Sequence, residues 1–355
     1  MLGKAIFKFL FISLFCAPFI TLGSEVQQAD TSKSEEKTKT EIKEFIDHHL
    51  DDSYSYTIWH AMGIEFPLPV ILVDEGLHVF LSSEFHHGES VAESEGKFYT
   101  LHHNKIYRTN AQGELNFDEE HHPTNVKPLD LSITKNVFTI MLFSIFIFFL
   151  FRNFAKSYEK SPIPNKIGRF MEPLVLFIRD EIAIPNIGEK HYQKYMSYLL
   201  TVFFFIWFIN LAGLTPLGIN VTGNIAITFC LALITFLITQ FTSKKDYWMH
   251  IFWMPGVPTP MKFILAPIEL LGVFIKPFAL MIRLYANMSA GHIVLMSLIG
   301  LLYIFDNWLA KGAFFSLTLF LSIIELLVAF LQAYIFTMLT ALYFGGAVAE
   351  HEHHD

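Results

Sequence analysis

The sequence predicts an all-α polytopic membrane protein of five transmembrane segments, the last two long, tilted and paired as a horizontal hairpin, preceded by a small β-rich exported domain. Three observations carry that expectation. Of the 355 residues 53% are apolar, 38 of them Phe, and only 16% are charged, against about a quarter in an average soluble domain; mean hydropathy is +0.42. Charge is also segregated: 21 acidic residues stand against eight Lys and Arg between Ser24 and Asp130, which leaves 12 acids against 17 bases elsewhere. Finally, the apolar runs after residue 131 are long enough to cross a bilayer, which takes about 20 residues per helix. The acidic head excludes a nucleic-acid-binding role, because it lacks the basic footprint that phosphate recognition needs.

Residues 1–23 (MLGKAIFKFLFISLFCAPFITLG) have two early Lys, an apolar run from Phe9 to Leu22 and small residues at Gly23–Ser24. This is the pattern of a Sec signal peptide, with cleavage expected near Gly23. Cys16 and Cys230 are the only cysteines, so the exported part carries no disulfide framework. Residues 24–46, rich in Ser, Thr, Glu and Lys, read as a flexible tether. Residues 47–130 form the small exported domain: VILVDEGLHVF, GKFYTLHHNKIYRT and GELNF alternate like short strands between Gly and Asn turns. It is His-rich, with His48–His49, His60, His86–His87, His102–His103 and His121–His122. Neighbouring residues on a strand point to opposite faces, so these pairs predict no metal site.

The membrane domain takes residues 131–349, with spans at about 133–151, 196–214, 225–241, 263–305 and 313–344. As straight helices the last two would measure about 65 and 48 Å at 1.5 Å per residue, against a hydrocarbon core of about 30 Å. They must bend, with Pro267 and Pro277 as sites, or tilt. Between the first two spans, Ile167, Phe170, Met171, Leu174, Phe177 and Ile178 recur at helical spacing, which predicts an interfacial helix. Lys and Arg crowd the segments 152–195 and 242–262 and avoid 215–224. By the positive-inside bias the head lies outside and the tail 350–355 (EHEHHD) inside.

Several polar residues interrupt the two long spans. An ionisable group at mid-membrane costs roughly 2.5–3.5 kcal/mol on insertion scales and marks function by default. The fourth span carries Glu269, Lys276, Arg283, Asn287 and His292; the fifth carries Glu325 and Gln332. Glu269 and Lys276 can snorkel to the nearer surface, but Arg283 has about twenty residues of largely apolar sequence on either side and stays charged in any environment. Arg283 and Asn287 share a helix face, whereas His292, nine residues on, points half a turn away. Glu325 and Gln332 align, about 10.5 Å apart along the axis. If Gln332 lies level with Arg283, Glu325 falls beside His292, and the two form a proton-exchanging pair on the outer side.

The run IKPFALMIRLYANMSAGH, with IWFINLAGLTPLG before it and FLQAYIFTMLTALYF after it, closely resembles subunit a of the F-type ATP synthase over about residues 131–349. The resemblance implies that Arg283 faces a rotating ring of c subunits and separates two aqueous half-channels. It also sets Asn287 and Gln332 beside Arg283 and associates Glu269 with the cytoplasmic side. Relative to some bacterial members, His292 and Glu325 are exchanged, as in mitochondrial ones. The implied partners are the c-ring, the b-subunit stator and the rest of the complex, the lipid bilayer and protons, in a bacterial inner membrane. No cofactor is expected, and with no phosphate-cradling Walker sequence the chain is no enzyme by itself. A secondary transporter gripping an anion with a buried Arg is the competing reading. It predicts an internal repeat, and the halves 131–241 and 263–344 share none.

Overall fold

The computed structural model describes residues 52–59, 64–88, 90–160, 166–215, 219–254, 257–305 and 307–349, all within one compact unit, Ile46–Asp355. The expected signal peptide, tether and tail lie outside the described residues, as do His48, His49 and His60.

Eight strands build the first part. β1 (Ser55–Trp59) and β2 (Ile64–Pro67) form an antiparallel pair. β3 (Pro69–Val73) pairs antiparallel with β4 (Leu77–Leu81) on one side and with β8 (Leu129–Asp130) on the other. β5 (Ala92–Ser94), β6 (Lys97–His102) and β7 (Lys105–Thr109) make a third, meandering sheet. One side of β3 and β4 supplies Val70, Leu72 and Phe80 to a core shared with Tyr54, Phe85 and Tyr99. At the β3–β4 turn, Asp74 and Glu75 receive Lys97 (3.2 Å to Glu75) and Arg108 (3.5 Å to Asp74). Burial and the adjoining Asp74 carboxylate push the Tyr99 phenol up to about 12.

Two expectations are corrected here. GELNF is no strand: only Phe117 makes an isolated bridge, to Pro123. The amides of Glu114 and Asn116 are taken instead by the side chains of Asn110 (3.0 Å) and Asn125 (2.7 Å), which leaves no ladder to extend. His102 and His103 do not diverge either; their rings meet edge to face at 4.3 Å. His103 and Asn104 form the two-residue turn between β6 and β7, with φ of 46° and 55°, so strand alternation does not reach His103.

Helices follow: α1 (Lys135–Lys160), α2 (Lys166–Phe177), a π-helical segment (Ile178–Ala183), α3 (Ile184–Ile187), α4 (Tyr192–Gly213), α5 (Ile225–Thr242), α6 (Lys245–Phe252), α7 (Thr259–Ile304) and α8 (Trp308–Val348). Five of them, α1, α4, α5, α7 and α8, are long and apolar enough to cross a membrane. Most of them outrun the spans drawn from hydropathy, and at α8 a capping group sets the start. Asn307 accepts from the Leu309 amide at 3.1 Å and starts α8 five residues early. α7 runs unbroken through Pro267 and Pro277 for 46 residues, about 69 Å, which obliges it to lie steeply aslant in any bilayer.

The core of the helical part sits between α4 and α8, where Leu199, Phe203 and Phe204 meet Ala333, Phe336 and Phe344; Tyr195 stacks on Phe344 at 4.5 Å. The expected interfacial helix forms as α2 and the π segment, yet much of its apolar stripe is covered by protein. Met171, Ile178 and Ile182 are buried in that same core, and Phe170 stays exposed. Gly345 lets α8 press on α3, since a Cβ there would overlap the Asn186 carbonyl.

Candidate functional site

α7 and α8 form the hairpin that carries the polar residues. Its register is fixed at two places. The Glu325 carboxylate lies directly over Gly291, where a Cβ would overlap it, and the Tyr343 hydroxyl donates to the Lys276 carbonyl at 3.4 Å. Counting seven residues along each helix from the first contact brings Gln332 level with Leu284, next to Arg283. Gln332 is buried.

Arg283 and Asn287 sit on an exposed stripe of α7 together with Ala279, Ala286 and Ala290. Small side chains flank the guanidinium and would admit another helix closely. His292 faces the other way and is buried. It packs on Gly213 at the end of α4, whose Cβ would stand 3.1 Å from its Nε2 and 3.0 Å from the Ile219 carbonyl. Among the described residues that Nε2 meets no hydrogen-bond partner. Glu269 is half-buried, fourteen residues and about 21 Å along the α7 axis from Arg283. His292 and the Gly291–Glu325 contact lie on the opposite side of Arg283, about 12–14 Å away along the axis.

The structure adds residues that sequence reasoning passed over. Asn210, one turn before Gly213 on α4, is wholly buried. Its Oδ1 accepts from the Thr222 hydroxyl at 2.7 Å, and its Nδ2 has no partner among the described residues. Ser289 donates to the Gly223 carbonyl at 3.4 Å, so the α4–α5 connection closes over this end of α7. His292 packs on α4 one helical turn from Asn210, so two buried polar atoms without partners among the described residues fall in the same region. The signal was present: an Asn inside IWFINLAG is a polar group in an otherwise apolar run.

A pocket opens toward the other end of α7. It has a volume of about 60 Å³ and is lined in part by Thr235, Thr239 and Gln240 of α5, Lys276 of α7 and Tyr343 of α8. The Gln240 Oε1 is buried there with no partner among the described residues, and the space is large enough for water. Lys276 lies seven residues, about 10.5 Å, from Arg283. Arg283 therefore stands between this pocket and the buried polar atoms of Asn210 and His292, which lie toward opposite ends of the same helix.

The family described as ATP synthase A chain matches residues 137–345. The chain belongs to that family. A domain of unknown function (DUF8433) matches residues 45–131. The chain is 43% identical over 236 residues to "ATP synthase subunit a" of Anaeromyxobacter sp. (strain Fw109-5), covering 64% of this chain and 57% of that protein. It is 41% identical over 307 residues to "ATP synthase subunit a 2" of Prosthecochloris aestuarii, covering 81% and 93%, and 43% identical over 249 residues to "ATP synthase subunit a 2" of Chlorobaculum tepidum, covering 67% and 70%. Membership makes the chain a multi-pass, proton-translocating membrane subunit of the Fo sector of an F-type ATP synthase, not a catalyst by itself.

Proposed function

We propose that the chain supplies two offset half-channels to a rotating c-ring, with Arg283 as the fixed cation between them. The observation that supports this most is that buried polar atoms without partners among the described residues lie to either side of Arg283, on Asn210 and His292 toward one end of α7 and on Gln240 toward the other. A proton from outside reaches the pocket of Asn210, His292 and Glu325 and passes to a ring carboxylate. Both His and Glu exchange protons within the physiological range when partly solvated. Arg283, charged at any pH, favours the ionised carboxylate and makes each arriving acid release its proton. The proton leaves through the pocket of Gln240, Lys276 and Tyr343. Asn287 and Gln332 hold the polar surroundings of Arg283, and Glu269 sits toward the inner mouth. The small side chains Ala279, Ala286 and Ala290 let a ring helix approach closely enough for the exchange.

The domain organisation belongs to the same proposal. Residues 1–23 export the head, 24–46 tether it, 47–130 fold outside the cytoplasm, and the basic segments 152–195 and 242–262 lie inside with the tail 350–355. A b-subunit stator holds the chain against the ring. The test is Arg283→Ala in the assembled complex. Assembly should survive while proton-driven ATP synthesis falls to background; retained synthesis overturns the assignment.

A further inference from the structure

The outward side of the β3–β4–β8 sheet is apolar throughout. Register gives it three rows. Val73, Leu77 and Leu129 stand opposite one another in the row farthest from α1. Ile71 pairs with Val79, and the Leu131 amide bonds to the Ile71 carbonyl at 2.9 Å. Pro69 pairs with Leu81, and the Ile133 amide bonds to the Pro69 carbonyl at 3.1 Å. Six of these side chains are well exposed: Val73 39%, Leu77 61%, Val79 57%, Leu81 49%, Leu129 62% and Leu131 58%. An antiparallel sheet with one face on a core normally turns polar residues to water on the other. A contiguous apolar patch that breaks this rule is an interaction site.

What covers it follows from where it stands. The last row ends at Ile133, two residues before α1 begins at Lys135, with no linker between. α1 turns apolar side chains outward at Val137, Met141, Leu142, Ile145 and Phe146, the surface of a helix in lipid. Its apolar run ends at Arg152, and about 20 residues counted back from there reach Ser132. The hydrocarbon boundary thus passes through the row of Ile133. Successive rows are about 7 Å apart along a strand, and the headgroup layer is about 5–7 Å deep. With upright strands the second row stands at the outer edge of the headgroups, and a lean of about 60° carries the third row, about 14 Å out, in as well.

We propose that this face of the β-domain is seated in the adjacent bilayer leaflet, so that the domain is an interfacial anchor rather than a body free in the aqueous phase. No charged side chain stands on the nine positions to oppose immersion, and the row nearest α1 ends two residues before that helix begins.

The test uses the full chain in vesicles of phosphatidylethanolamine and phosphatidylglycerol, in a Cys16→Ser, Cys230→Ser background. An environment-sensitive fluorophore is attached at Leu81→Cys, Val79→Cys, Leu77→Cys and, as control, the exposed Lys105→Cys. Quenching by lipids spin-labelled near the headgroup should be several-fold at Leu81 and decline through Val79 to Leu77, with none at Lys105. Water-like emission at all three sites overturns the proposal; so does blue-shifted emission that lipid does not quench, which would mean a protein partner. The unmodified chain gives an independent readout. A photoactivatable lipid should label peptides containing 77–81 and 129–133 and spare 97–109; labelling confined to the spans overturns the proposal.

Discussion

Replacing Gly291 by Ala tests the proposed outer pocket most sharply, because the Glu325 carboxylate occupies the space of the missing side chain. Ordinary contact between non-bonded atoms is about 3.5–4.0 Å, so the carboxylate must retreat by at least about an ångström. A displacement of that size at a reacting group can cost about a hundredfold in rate. Passive proton flow through the membrane sector, read by a pH-sensitive dye in vesicles, should fall by about ten- to a hundredfold. The same change raises helix propensity, since Ala is favoured over Gly inside a helix by about 0.8–1 kcal/mol. Thermal stability should therefore hold or rise while conduction falls, a combination that general misfolding does not produce. Gly213→Ala, whose Cβ would stand 3.1 Å from the His292 Nε2, asks for a shift of only a few tenths of an ångström and should lose less. Gly312→Ala, with nothing within 4 Å, should conduct as the parent does. Equal conduction by the Gly291 and Gly312 variants would refute the reasoning.

Two further outcomes follow from the geometry. Asn210→Leu strands the buried Thr222 hydroxyl and should cost about 1–3 kcal/mol; adding Thr222→Val should recover part of it in a double-mutant cycle of thermal unfolding in detergent. In the β-domain, burial and then the neighbouring His103 hold the His102 imidazole below its ordinary pKa, so between the two values the unfolded chain binds more protons. Stability should be full above about pH 6.5 and decline as pH falls below it; hydrogen exchange of the β6 and β7 amides should show this, and His102→Asn should flatten the profile.

The helical half was legible because lipid imposes a blunt rule, about twenty apolar residues per crossing, and because a charge such as Arg283 stands out against it. Asn210 escaped notice since it is neutral, although a buried amide without its partners is itself costly. The seven-residue spacing of Glu325 and Gln332 gave their levels along α8, but nothing in the sequence shows the carboxylate resting on Gly291. That contact depends on how closely two helices approach. In the β-domain, VILVDEGLHVF was legible as short strands about a turn, but its apolar residues stand on both faces of the sheet, as in strands covered on both sides. One face is covered by the core around Tyr99; on the other, Val73, Leu77 and Val79 stay exposed among the described residues. His103 misled because a turn with positive φ ends strand alternation one residue earlier than pattern suggests.

The start of α1 has a consequence for how this protein can be taken apart. Its first turn is capped from far upstream: Asp52 accepts from the Asn136 amide and the Thr134 hydroxyl, each at 3.0 Å, and the Lys135 amide donates to the Ser53 carbonyl at 2.9 Å. The border between the two family matches, residues 131 and 137, therefore runs through one hydrogen-bonded knot. A chimera joined at that border would graft a helix whose opening amides have lost their acceptors. A transplant of the domain onto another membrane subunit must carry Asp52 and Ser53 with the helix they cap, or supply a Ser, Thr or Asp of its own at the junction.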